Sequence, residues 1–452
     1  TILFVLSACA ATPTPAPTPV PNTPVPAAKP TTAAIAPTTA PTTALAAAPT
    51  TAPTAPPPPA GTVKIGAMYS LTGSGAAIGT GQMEGAKMAI DEINKNGGIN
   101  IGGVKMKIEG VFRDDESNPQ VAVARFNEIV KDQKATALVA GSLGNISVAI
   151  NEEVKKTKTL FIATNGVPED FFKKDVKAPT SLCIVAASEW AGRGAAAYMV
   201  DQMKAKRIAN FMPDYSIGQG TMKGFEAVMK DRKGVEFQTI WHPVSSPDLT
   251  SYLIKALEYK PDVVFVGSWG ADAVNALKQA LDMGAGKKAP LFHFWLMNAF
   301  ATGIPANAME GVKGQMFWYH DMRGFSDADV VKASEEFVKK WMDGRKEPPD
   351  PYAMSTYYGV MEIARAMELS KSTEPDKMYA ALMANPEWKG AKGPATWRKD
   401  GAVVYKYSTW VVAGKGAAER KSDRYDAKFD FAKIVDVYSG DAFVPPLSAL
   451  GY

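Results

Sequence analysis

Two residue types on which covalent and metal chemistry most often rest are nearly missing from this 452-residue chain: it holds two cysteines and three histidines. Cys9 and Cys183 lie far apart in unrelated contexts, which excludes a disulfide framework, and neither sits in a CxxC or zinc spacing. His242, His293 and His320 include no pair at metal-ligand spacing. No apolar run reaches the roughly 18 residues that a membrane-spanning helix needs. An excess of charge of one sign is missing as well. The net charge of +4 is small and spread along the chain, so it makes no case for nucleic acid. No GxSxG elbow and no Ser–His pairing can be read, which argues against a hydrolase. What remains is 46% hydrophobic residues with 21% charged ones, the balance of a globular protein with a core, in a length that allows two domains.

The first sixty residues do not read as part of a fold. Thr1-Ile2-Leu3-Phe4-Val5-Leu6 is an apolar scrap with no basic segment before it, as in the tail of a signal peptide, here residues 1–9. Leu6-Ser7-Ala8-Cys9 resembles the bacterial lipobox, in which the Cys9 thiol takes a diacylglycerol anchor; the plain alternative is an incidental cysteine after an apolar run. Residues 10–60 are almost wholly Pro, Thr and Ala, with Lys29 as the one charge. Such a tract cannot bury enough apolar surface to offset its ordering entropy, so a disordered linker is expected. Its prolines favour an extended spacer of roughly 3.1 Å per residue.

From Gly61 the periodicity changes. Val63–Tyr69 reads as a buried strand, followed by the turn Thr72-Gly73-Ser74-Gly75 and a helix with Met83, Ala86, Ile90 and Ile93 on one face, stopped at Asn96-Gly97-Gly98. Met106–Phe112, Ala137–Ala140 and Leu160–Ile162 are further strands, the first followed by a helix carrying Val123, Phe126 and Val130. The rhythm restarts with Arg207–Met212, a helix after Gly218-Gln219-Gly220, then Val263–Val266 and Leu291–Phe294 around a helix from Ala271 to Met283. Amphipathic helices follow from Ala328 to Met342 and from Tyr357 to Leu369. Two such runs predict an α/β fold of two doubly wound parallel-sheet lobes joined by several crossings, as in a hinge. One lobe is assigned residues 61–184 plus 319–396, the other 185–318 plus 397–452.

At this point the residues form a familiar series. Ile65-Gly66-Ala67, Leu71-Thr72-Gly73, Gly85-Ala86, Ile93-Asn94 and Gly97-Gly98-Ile99 resemble the opening of the leucine/isoleucine/valine-binding protein family, the type I periplasmic binding proteins of ABC importers. Asp114-Asp115-Glu116-Ser117-Asn118-Pro119 with Ala122, Gly141-Ser142, Tyr357-Tyr358-Gly359-Val360, and Gly393-Pro394 with Trp397, Asp400 and Gly401 extend the likeness. The resemblance implies a solute held between the lobes at the carboxyl ends of the strands. A carboxylate would sit on backbone amides at a helix N-terminus in the loop Gly141–Ser147. The family's usual serine falls on Asn145, with Ser142 and Ser147 nearby, and the next contact loop is Thr164, Asn165 and Gly166. On the other lobe the resemblance points to Trp269 as an aromatic lid, with Trp295 and Tyr215 as further walls. Three departures stand out. Ile78 replaces a tyrosine, the disulfide of some members is missing, and the acidic residue that takes a ligand's ammonium falls near Leu296, with Asp214 or Asp272 as substitutes.

Each of these positions has a plainer reading. Trp269 and Trp295 follow buried strands and read equally as core, and Asn145 and Ser147 as helix caps. Asp114 and Asp115 read as loop shapers, and Cys183 as an inert buried thiol. Gly73-Ser74-Gly75 with Gly79 is spaced GxGxxxG, not the GxGxxG of a dinucleotide site, and no proton-transfer grouping accompanies it. The expected function is an extracytoplasmic, lipid-anchored solute-binding protein. It would take a branched-chain amino acid, an amide or an aromatic or aliphatic carboxylate, and hand it to a permease and ATPase complex. It would act as a monomer without cofactor, metal or nucleic acid. A ligand sensor on the same fold is the alternative.

Overall fold

Short, wholly apolar runs become the central strands. A computed structural model describes residues 60–452; Cys9 and the Pro/Thr/Ala tract before residue 60 lie outside the described residues. The first lobe begins with β1 (Gly61–Tyr69), β2 (Ile99–Ile101), β3 (Val104–Asp114), β4 (Ala137–Ala140), β5 (Leu160–Ala163) and β6 (Ser181–Cys183). Every residue of β4, β5 and β6 is buried, as expected of strands covered on both faces. They form one sheet in the order β2-β3-β1-β4-β5-β6. All neighbours are parallel except β2, an antiparallel edge hairpin on β3 that the sequence reading lacked.

The second lobe holds β7 (Arg207–Pro213), β8 (Glu236–His242), β9 (Val263–Val266), β10 (Leu291–His293) and β11 (Lys313–Met316). A small three-stranded sheet of β12 (Glu387–Gly390), β13 (Gly393–Trp397) and β14 (Val403–Tyr405) follows. Then β15 (Tyr407–Gly414) and β16 (Ala432–Ser439) return to the second sheet, whose order is β16-β15-β11-β10-β9-β7-β8. β15 and β16 join antiparallel, so the expectation of a purely parallel sheet is corrected at that edge. Within the parallel strands both lobes wind alike, with the order reversing between β1 and β4 and between β7 and β9.

The helices follow their apolar stripes, with corrected ends. Met83, Ala86, Ile90 and Ile93 are all buried in the helix Ala76–Lys95. Asn118 caps the next helix through the amides of Gln120 and Val121, with Pro119 in its first turn. That helix stops at Asn127, and Val130 lies in a five-residue π turn, Glu128–Asp132. Gly218 and Gly220 are inside the helix Ser216–Met229, not before it. The late helix is Pro351–Ser370, longer at its start because Asp350 caps it and Pro351 opens it.

Three chain segments cross between the lobes: residues 184–187 after β6, residues 317–327 after β11, and Lys406 between β14 and β15. They are laced together. The Tyr405 hydroxyl donates to Ile184 O at 3.1 Å, and Cys183 N donates to Gly401 O at 2.9 Å. The expected division at 396/397 falls inside β13.

Candidate functional site

Strand ends carry the loops that build the site. A cavity of about 280 Å³ lies between the lobes at the carboxyl ends of the parallel strands. The first lobe contributes Ser142, Leu143, Gly144, Asn145 and Val148 after β4, Asn165 to Pro168 after β5, and Val185, Ala186 and Ser188 after β6. The second contributes Ser216 and Ile217 after β7, Trp269 after β9, and Phe294 and Trp295 after β10. Tyr352, in the first turn of the Pro351–Ser370 helix, completes the wall.

The first-lobe side is a hydrogen-bonded platform. Gln82 is fully buried and works as its hub. Its Nε2 donates to Gly141 O at 3.1 Å and to Thr164 Oγ1 at 3.2 Å, and its Oε1 accepts from Ser142 Oγ at 2.7 Å. Ser142 Oγ also accepts from Ser70 N at 3.0 Å, and Asn165 Nδ2 donates to Ser142 O. Thr164 Oγ1 is shared with Tyr69 Oη at 3.0 Å and Thr356 Oγ1 at 3.2 Å, while Ser355 Oγ donates to Thr164 O. Gly141 has φ +97°, and a Cβ there would lie 2.1 Å from Ser147 Oγ, so both conformation and space require glycine.

That platform aims a helix at the cavity. The helix Gly144–Thr157 has Leu143 at its N-cap, which offers no side-chain acceptor, so the Gly144 and Asn145 amides are left without a cap, while Ile146 N donates to Asn145 Oδ1 at 3.0 Å. The Ser188, Ser216 and Gly270 helices also begin at the cavity rim with no side-chain cap. Partial positive charge therefore reaches the space from the Gly144 and Ser216 helices, while the Ser188 and Gly270 helices carry Glu189 and Asp272 in their first turns.

The second-lobe side is aromatic. Trp269 is half-buried and meets Phe300 edge-on at 6.2 Å. Trp295 packs on Phe294 at 5.1 Å and edge-on against Phe317 at 5.5 Å. At the mouth the lobes touch: Asn298 Nδ2 donates to Pro348 O at 3.3 Å and Pro349 O at 3.1 Å, and Ala299 N to Asp350 Oδ2 at 3.2 Å. Burial pushes the Asp350 carboxyl up to about 6.

Of the site residues the sequence points to, Ser142, Asn145, Asn165, Gly166, Trp269 and Trp295 line the cavity, whereas Ser147 and Tyr215 do not. Ser147 is fully buried on the core face of its helix, its hydroxyl without a partner. Tyr215 stands at the start of the Ser216–Met229 helix, its hydroxyl pKa raised by burial and by Asp272. Asp214 accepts from Gln219 and Asp272 from Ser245 N; neither lines the cavity, and Leu296 is fully buried. The Gly73–Gly79 stretch, a 3-10 turn running into the Ala76–Lys95 helix, stays outside the cavity too. Cys183 is buried with its thiol pushed up to about 12.

One Ser–His contact, separated by 26 positions in the chain and so without a sequence signal, forms outside the cavity. His242 Nδ1 meets Pro243 O at 3.0 Å, so that nitrogen carries the proton and Nε2 accepts from Ser268 Oγ at 2.9 Å. Both residues are fully buried outside the cavity, and the pair braces the loop that ends in Trp269.

Comparison with known proteins places this geometry. Residues 62–417 match the sequence profile described as periplasmic binding protein. An "amino acid binding protein" of Pseudomonas aeruginosa is 24% identical over 77% of this chain and 89% of its own length. A "leucine-specific-binding protein" of Salmonella typhimurium is 25% identical over 75% of this chain and 87% of its own. Among solved structures, an amino acid ABC transporter substrate-binding protein from Pseudomonas fluorescens superposes with TM-score 0.75 at 21% identity, covering 87% of this chain and 99% of that one. A solute-binding protein of an ABC transporter from R. palustris, in complex with benzoate, has TM-score 0.67 at 19% identity, covering 84% and 97%.

Proposed function

The chain belongs to the periplasmic binding protein family, and from that premise we propose that it captures a small carboxylate with an apolar body between its lobes for an ABC importer. One observation carries the ligand class: none of the 18 residues lining the cavity is Asp, Glu, Lys, Arg or His. A carboxylate suits the uncapped amides at Gly144 and Asn145, where the helix dipole favours negative charge. An ammonium has no counter-charge there, and taking a lone cation out of water costs several kcal/mol. The carboxylates of Glu189 and Asp350 stand behind the wall and are taken up in bonds, Glu189 accepting from Ser188 Oγ and Glu169 N, Asp350 from Tyr352 N and Ala299 N. Trp269, Trp295, Phe294 and Tyr352 supply flat apolar area for the body of the solute. An acid without an amino group, such as the benzoate held by the R. palustris protein, fits this wall better than an α-amino acid.

Calorimetry with leucine, 4-methylpentanoate and benzoate tests the reading. The two acids lacking an amino group should bind, and leucine at least about tenfold more weakly than 4-methylpentanoate, which shares its carbon skeleton. Leucine binding tighter than 4-methylpentanoate would sink the ligand class while leaving the transport role standing. Loss of uptake of the bound acid in cells lacking the chain checks transport itself. The lipid tether at Cys9 belongs to the same reading, and Cys9→Ser should give a soluble or an uncleaved precursor; membrane partition that persists after cleavage counts against the tether.

A further inference from the structure

Two of the three crossings between the lobes contact one buried amino group, and the first lies beside the same small cavity. Lys392, in the turn between β12 and β13, is 4% exposed. Its Nζ donates to Ser408 O at 2.6 Å and lies 4.1 Å from the ring centre of Tyr405, 5.6 Å from Trp410 and 5.9 Å from Phe317. Tyr405 and Ser408 flank the third crossing, Phe317 opens the second, and Ala186 of the first lines the same small cavity as Lys392. Burial alone drives the Lys392 pKa well below that of an ordinary lysine, for no carboxylate pairs with it among the described residues. An apolar side chain of equal length would fill this space without that desolvation cost.

Phe317 ties the turn to the cleft. It touches Trp295, carried by the second lobe, at 5.5 Å, and Tyr352, on the helix packed against the first lobe, at 5.0 Å. Movement of either wall therefore reaches Phe317 and, through it, Lys392.

We propose that Lys392 is a positioning residue that pins the hinge in the conformation where Asn298 bonds across the mouth, and so sets how often the empty clamp is closed. Affinity for any solute scales with that closed fraction, whatever the solute touches.

Electron spin labels at Thr80→Cys and Lys278→Cys, both exposed and on opposite lobes, read the interlobe distance in the full chain with Cys9 replaced by Ser and no solute added. Lys392→Met should cut the short-distance population about fivefold, the size of one hydrogen bond. Its unfolding midpoint should hold or rise, because the desolvated amine is gone. A lowered midpoint with an unchanged distance distribution marks a merely structural residue and overturns the proposal, as does no change in either. Should Lys392→Met fail to fold, Phe317→Leu removes the second crossing's contact with the amine. It must then shift the distribution the same way, and an unshifted distribution overturns the proposal.

Discussion

The two halves of the cleft are built on opposite plans. On the first lobe, Gln82, Ser142, Thr164 and Asn165 are locked in a buried hydrogen-bond network behind the loops that face the solute. On the second, Trp269 and Trp295 are positioned by ring contacts with Phe300, Phe294 and Phe317. The difference follows from what each half must do. Amides that receive a charge lose most of their value if misdirected, so they need a rigid support. An apolar wall needs only volume and shape, and packing supplies both.

Acid should separate the halves most strongly. All three histidines lie after residue 185, none in the first-lobe platform. His293 ends β10, two residues before Trp295; its ring is fully buried with both nitrogens unpartnered, and burial pushes its pKa down to about 4. His320, also buried, is pushed down to about 3. With a folded pKa below the unfolded value near 6.5, each ring stays neutral in the fold while the unfolded chain gains a proton. Stability is therefore whole above pH 6.5 and lost as pH falls toward 4, by about 3 kcal/mol for His293. Asp115, beneath the first-lobe loop, has its pKa raised by burial, so the stability it contributes grows as pH falls. Hydrogen exchange at pH 5 against pH 7 should show β10 losing protection while β4 keeps it. Equal loss in both would break the contrast.

Gln82→Leu attacks the platform directly. It strands the Ser142 hydroxyl and the Gly141 carbonyl in a buried site, at a cost of roughly 2–3 kcal/mol in denaturant unfolding. Carboxylate affinity should fall with it, since the loop that presents Gly144 and Asn145 loses its support. Wild-type stability in this variant would mean the network is incidental.

The sequence makes the platform's location legible but not its mechanism. β4, β5 and β9 are short buried apolar runs bounded by turn signals, and their ends predict where loops gather. Gln82 left no such trace, because a glutamine on a helix reads as surface until the fold buries it. β8 was invisible because most of its residues are exposed on an edge strand, which removes the apolar pattern. The Ser147 hydroxyl suggests a ligand contact, yet helical spacing puts Asn145 and Val148 toward the cavity and Ser147 toward the core. Phe294, Val185, Ile217 and Tyr352 carry no such signal, because an apolar cleft wall and an apolar core have the same letters.

Trp269→Ala tests the wall. Removing a half-buried ring from the cavity should weaken solute binding by about 2 kcal/mol, with a smaller change in the unfolding midpoint. Calorimetry and thermal unfolding on the same preparation separate the two. A variant that unfolds early but binds normally would assign Trp269 to the core.

The smallest effect should come from the mouth. Asn298→Ala deletes the donor that reaches Pro348 O and Pro349 O, leaving Ala299 N on Asp350 as a bond across the same gap. About 1 kcal/mol should be lost from the closed form, or roughly fivefold in affinity. Asn298 does not line the cavity, so the loss reaches the solute only through the closed fraction. It should therefore be the same factor for benzoate and for 4-methylpentanoate, whereas a residue touching the solute shifts one against the other. Unequal factors would mean that the mouth residue shapes the pocket itself, and that closure and recognition are not divided between hinge, mouth and wall as their geometry indicates.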